Sequence, residues 1–115
     1  MASKIEVQEN QLEGVLVLVP VGRIDSSNAP AFEKLINNHI DDGETNIIVD
    51  FGRLSFISSS GMRVLLIAAK SVRGSQGGKL VLCGMRDSIR EIFSISGFDA
   101  IIPVVNTRAD ALNVK

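Results

Sequence analysis

The chain has 115 residues, a net charge of −1, one cysteine and neither Trp nor Tyr. That length predicts one domain, residues 1–115, with a core large enough to fold alone. The charge balance offers no field for nucleic acid or an anionic membrane, and five Phe are too few for a base-stacking platform. No apolar run reaches the roughly 20 residues that span a bilayer, and "MASKIEVQEN" lacks the apolar centre of a secretion signal. The expectation is a soluble cytoplasmic protein, monomeric when free.

In chain order, "KIEVQEN" alternates and predicts a short edge strand. "GVLVLVPVG" (14–22) is β-branched and almost wholly apolar, as in a strand buried on both faces. Pro20 points to a sheet edge or to the end of that strand. "RIDSSNAP" then reads as a loop, with Ser27 or Asn28 as helix cap and Pro30 in the first turn. Phe32, Leu35, Ile36 and Ile40 recur at helical spacing and make one buried face, and Gly43 ends the helix.

"TNIIVDF" is a short apolar strand, and "GRLSFISSS" crosses from it to a second helix over roughly 60–73. On that helix Val64, Leu65, Ala68, Ala69 and Val72 share one face, with Arg63, Lys70 and Gly74 opposite. Ile67 falls among the polar residues, and Leu66 lies at the border. "GSQGGK" is a turn into the buried strand "KLVLCG", in which Cys83 is a small core residue. Asp87 or Ser88 is placed to cap a short helix with Ile89, Ile92 and Phe93, which Gly97 ends. "AIIPVV" is a brief extended segment, and Thr107 caps a last helix with Ala111 and Leu112 inward. The pattern predicts an α/β fold: a mixed sheet of about five strands with about four helices against it.

Several motifs dissolve on inspection. "GSQGGK" lacks the leading glycine and trailing Ser/Thr of a phosphate-binding P-loop, and it leads into a strand rather than a helix. His39 is the only histidine, with no Cys/His cluster for a metal and no G-x-S-x-G elbow around any serine. No catalytic residue, metal site or cofactor is assigned. Asp25 is either a turn-former or a residue on the rim of a binding surface.

The informative stretch is "FISSSGMRVLLIAAK" (56–70). One serine suffices to cap a helix; three precede this one. An exposed serine there can accept a phosphate, because the helix dipole and free N–H groups tolerate a dianion. Arg63, Ile67 and Lys70 would then extend a partner surface beside it.

"IIVDFGRLSFISSSGMRVLLIAAK" resembles the signature of STAS domains, in particular bacterial anti-sigma-factor antagonists. "VPVGRIDSSNAPAFEKLI", "GGKLVLCGMRDSIREIFSISGFDAIIPV" and "TRADAL" agree in order, so the resemblance covers nearly the whole chain. It implies a non-enzymatic partner switch. The unphosphorylated antagonist binds an anti-sigma factor that is also an ATP-dependent serine kinase, and frees a sigma factor or other regulator. Phosphorylation weakens the complex, and a metal-dependent serine phosphatase resets it. Aligned on Gly61, the acceptor is Ser59, with Ser58 the alternative because it stands where the family has Asp. Asp25, Ser58, Ser60, Gly61, Met62, Arg63, Ile67 and Lys70 form the implied docking surface. The competing readings are a STAS interaction subunit without phosphate turnover, as in transport or stress-signalling assemblies, and a small enzyme.

Overall fold

A computed structural model describes residues 4–75 and 77–114. Six strands and four helices follow in the order β1 (Glu6–Leu12), β2 (Val15–Ile24), α1 (Ala29–Asp41), β3 (Asn46–Asp50), β4 (Leu54–Ile57), α2 (Ser59–Arg73), β5 (Lys79–Cys83), α3 (Asp87–Ile95), β6 (Val104–Val105) and α4 (Arg108–Leu112). A 3₁₀ turn, Phe98–Ala100, precedes β6. The sheet runs β1-β2-β3-β5-β6, with β4 beside β2. Among the described residues, only the β1–β2 pair is antiparallel.

The central strands are apolar at nearly every position because both of their faces are buried. Their two-residue period deals alternate side chains to two cores. Leu16, Leu18, Ile47, Val49, Leu80 and Leu82 join Phe32, Ile36, Leu65 and Phe93 in the larger one. Val17, Val19, Ile48, Val81 and Cys83 join Ala111 in the smaller. Cys83 is a free thiol, and burial first, then the Asp50 carboxylate, pushes its pKa up to about 11.

Four sequence expectations shift. Pro20 neither ends β2 nor lies at the edge of the sheet. It is buried within the strand, between the stretch paired with β3 (Leu16–Leu18) and the stretch paired with β4 (Gly22–Ile24). One side of the ladder is interrupted there, which accommodates a residue without an N–H. β4 is an additional strand inside the supposed crossover, paired in parallel with the end of β2. Neither Asp87 nor Ser88 caps α3; Arg86 holds the cap position without a side-chain bond. Leu112 is 43% exposed, so Ala111 alone is the buried anchor of α4.

Several other expectations hold. Phe32 and Ile36 are buried, with Leu35 and Ile40 partly so. Gly43 takes φ +99 just beyond α1, and Gly97 takes φ +78 beyond α3. Thr107 Oγ1 accepts from the Asp110 N–H at 3.0 Å and caps α4. Arg108 then anchors that helix to the sheet through Asp50 Oδ2, at 3.1 Å from Nε and 2.9 Å from Nη2. His39 pairs with Glu9 of β1 at 3.0 Å. Gln76 of the "GSQGGK" turn lies outside the described residues.

Candidate functional site

The junction between β4 and α2 is fixed by Ser58. Its backbone is extended (φ −82, ψ 168), and its N–H donates to the Ile24 carbonyl at 2.8 Å, which continues the β2–β4 ladder by one bond. Its carbonyl accepts from Met62 N–H at 3.0 Å and opens the helix. Its Oγ accepts from Gly61 N–H at 3.2 Å, which satisfies one free donor of the first turn. The same oxygen lies 2.8 Å from Ser60 Oγ, so these two hydroxyls share a hydrogen bond.

Ser59 differs from both neighbours. It is the first helical residue and is exposed, and its hydroxyl has no hydrogen-bond partner among the described residues. The first turn of α2 carries no acidic side chain. The three serines are thus a capping pair with one free hydroxyl between them.

Gly61 explains how the turn sits so close to the sheet. A Cβ there would stand 2.7 Å from Ile24 Cγ2 and 2.8 Å from Ile57 Cγ1, inside contact distance. Gly61 is buried and Met62 is 5% exposed, so both face inward and seat α2 on the strands. Of the residues assigned to a docking surface, these two offer a partner no side chain. Arg63, Ile67 and Lys70 are exposed on the outer face, Ile67 at 42%. Val64, Leu65, Ala68, Ala69 and Val72 are buried beneath them.

Asp25 lies on the loop that leaves β2 directly after Ile24, whose carbonyl holds Ser58. Its Oδ1 accepts from the Ser27 N–H at 2.9 Å, from the Ser27 hydroxyl and from the Asn28 N–H at 3.3 Å. The Ser27 hydroxyl bond is the main reason its carboxyl titrates below the ordinary aspartate value. Asp25 is therefore a turn-former, half-exposed, beside the serine turn. Neither Ser27 nor Asn28 acts as the expected side-chain cap of α1. Asn28 instead clasps the loop: Oδ1 accepts from Asp25 N–H at 2.8 Å, and Nδ2 donates to the Arg23 carbonyl at 2.9 Å.

A groove of about 250 Å³ runs between α1 and α2, lined by Ala29, Pro30, Glu33, Ser60, Arg63, Val64 and Ile67. The α1 contribution was not legible from sequence, since it depends on how the helices pack. A second unforeseen feature is Arg23, whose guanidinium stacks 4.3 Å over the Phe56 ring. That pair is exposed on the β2–β4 ladder, two residues before Ser58. Among the described residues there is no cluster of three or more His, Cys, Asp or Glu able to hold a metal. No described helix is long and apolar enough to cross a membrane.

The sequence is 42% identical over 102 residues to BtrV of Bordetella bronchiseptica, covering 89% of this chain and 87% of BtrV. It is 30% identical to the anti-sigma-F factor antagonist RsfB of Mycobacterium tuberculosis, covering 86% of this chain and 80% of RsfB. The fold superposes on SpoIIAA in its unphosphorylated form with a TM-score of 0.78 and 24% identity, covering 94% of each chain. Against the phosphorylated form of SpoIIAA, from Bacillus, the TM-score is 0.71, also at 24% identity and covering 94% of this chain and 97% of that one. The STAS domain profile matches residues 5–111, and the chain belongs to the STAS domain family.

Proposed function

We propose that this chain is an anti-sigma-factor antagonist that switches partners through phosphorylation of Ser59. The observation that carries this reading is the division of labour among the serines. Ser58 and Ser60 bond to each other, and Ser58 caps the helix, whereas the Ser59 hydroxyl is exposed and unbonded. Relatives named as antagonists support the same reading.

In this scheme the unphosphorylated chain docks on an anti-sigma factor through the Asp25 loop, Ser58, Ser60, Arg63, Ile67 and Lys70. The sigma factor or other regulator held by that partner is released. The partner is itself a kinase. Ser59 Oγ attacks the γ-phosphorus of its ATP, the bond to the β-bridging oxygen breaks, ADP leaves, and the hydroxyl proton passes to a base on the kinase. A metal-dependent serine phosphatase later hydrolyses the ester. ATP, metal and catalytic groups belong to the partners; this chain supplies a nucleophilic hydroxyl and a surface.

The neutral Ser58 fits this role. It caps α2 as a carboxylate would, while placing no negative charge next to the incoming phosphate. The test is incubation with ATP and the serine kinase encoded in the same genome, followed by intact mass and peptide mapping. One added phosphate on Ser59 is the expected result. A stable complex without phosphate transfer would favour an interaction subunit instead, and phosphate on Ser58 would shift the acceptor by one residue.

A further inference from the structure

We propose that Arg63 is the intramolecular counter-charge for a phosphate on Ser59, so that phosphorylation draws its side chain from the wall of the α1–α2 groove onto the modified serine. The inference rests on the reading of Ser59 as acceptor and adds a mechanism for how the signal reaches the docking face.

Ser59 and Arg63 stand four residues apart on α2, both exposed. At that spacing side chains meet along one helix face, with Cβ atoms about 5–6 Å apart. The order also matters. An anion N-terminal to its cation is the better arrangement, since each then lies on the favourable side of the helix dipole. The guanidinium offers a planar fork of donors that matches two phosphate oxygens.

Arg63 is available for this. Among the described residues the ion pairs are Glu9–His39 and Asp50–Arg108, so Arg63 is committed to neither. Of the acids on α1 and the loop before it, Glu33 lines the groove, Asp25 Oδ1 is occupied within its own loop, and Asp41 is the last residue of α1, outside the groove lining. None of them pairs with Arg63. Before modification Arg63 is part of the groove wall, next to Ser60, Val64 and Ile67. After modification the dianion, with about −1.5 to −2 charge at pH 7, outcompetes the single charge of the Glu33 carboxylate. A partner that used the guanidinium in the groove then loses it, in addition to meeting the phosphate.

The test needs no kinase. The chain is prepared with phosphoserine incorporated at position 59 during translation, and its phosphate is titrated by phosphorus NMR. The second ionisation is expected to fall about 0.15–0.4 pH unit lower than in the same protein carrying Arg63→Gln. This difference should fade in about 1 M sodium chloride. The Arg63 Nε–H resonance should shift on phosphorylation. Lys70→Gln, on the same face but seven residues beyond Arg63, should leave the midpoint unchanged. Equal midpoints with and without Arg63, or an equal effect of Lys70→Gln, would overturn the proposal. So would an Arg63 Nε–H signal indifferent to the phosphate. Failure of a kinase to modify Ser59 would appear in peptide mapping and would leave this titration unaffected, so the two ideas fail separately.

Discussion

Ser58 Oγ and Ser60 Oγ lie 2.8 Å apart and bridge across Ser59, whose own hydroxyl takes no part. Stability and modification therefore reside on neighbouring residues and can be separated. Ser58→Ala removes the acceptor for Gly61 N–H and is expected to cost about 1 kcal/mol in urea unfolding, the usual loss for a serine cap. It should still accept phosphate on Ser59. Ser59→Ala should unfold within about 0.5 kcal/mol of the parent and accept none.

Gly61 should tolerate no larger residue. Gly61→Ala would press a methyl against Ile24 and Ile57. Overpacking of this kind costs about 1–3 kcal/mol, and the higher helix propensity of alanine offsets up to about 1 kcal/mol. A net loss is expected in a urea melt. A stabilised Gly61→Ala variant would mean that the first turn of α2 does not sit so close to the strands.

The Asp25 carboxyl gives a pH signature. Its pKa is lowered chiefly by the Ser27 hydroxyl. The folded value lies below the unfolded one, so the stabilisation is in place above the unfolded pKa and is lost as pH falls through the folded value. A carbon NMR titration should place the Asp25 midpoint below the ordinary aspartate value. Ser27→Ala should raise it. A midpoint insensitive to Ser27 would contradict the loop geometry.

The elements of the fold differ in how plainly the sequence declares them. The wheel of α2 was legible because a long helix with one apolar face writes its burial directly into the sequence: Val64, Leu65 and Ala68 are buried, and Ile67 is not. The strands β2, β3 and β5 were legible as apolar runs. β4 was not, because "LSFI" is short and its exposed Ser55 and Phe56 look like loop. Its pairing with β2 in turn creates the Arg23–Phe56 stack, which no local pattern announces. In the sequence Asn28 reads as a cap because caps and loop clasps use the same side chain; only the folded loop decides between them. The serine triplet was conspicuous, yet its split into a bonded pair and a free hydroxyl depends on the rotation of α2 at its first turn.

Ile67 distinguishes surface from core. At 42% exposure, Ile67→Asp should shift Tm by no more than about 4 °C, while abolishing binding to the anti-sigma partner in a pull-down. The buried neighbour gives the contrast: Val64, 7% exposed, should lose several kcal/mol as Val64→Asp, since it would bury an unpaired charge. Normal binding by a normally folded Ile67→Asp variant would remove this face from the interface.

The central claim is that one phosphate on Ser59 dismantles the complex without unfolding the chain. The most direct measurement is the affinity of the purified anti-sigma partner for the plain chain and for the chain phosphorylated at Ser59, by calorimetry, with circular dichroism on both forms. Burying a new dianion against a surface shaped for a hydroxyl costs several kcal/mol, and a single guanidinium drawn onto it offsets only part of its charge of about −1.5 to −2 at pH 7. About 2.7 kcal/mol already corresponds to a hundredfold loss. The account predicts at least that loss in affinity, with superimposable spectra. Equal affinity for the two forms, or a weakened complex accompanied by loss of helix signal, would contradict it.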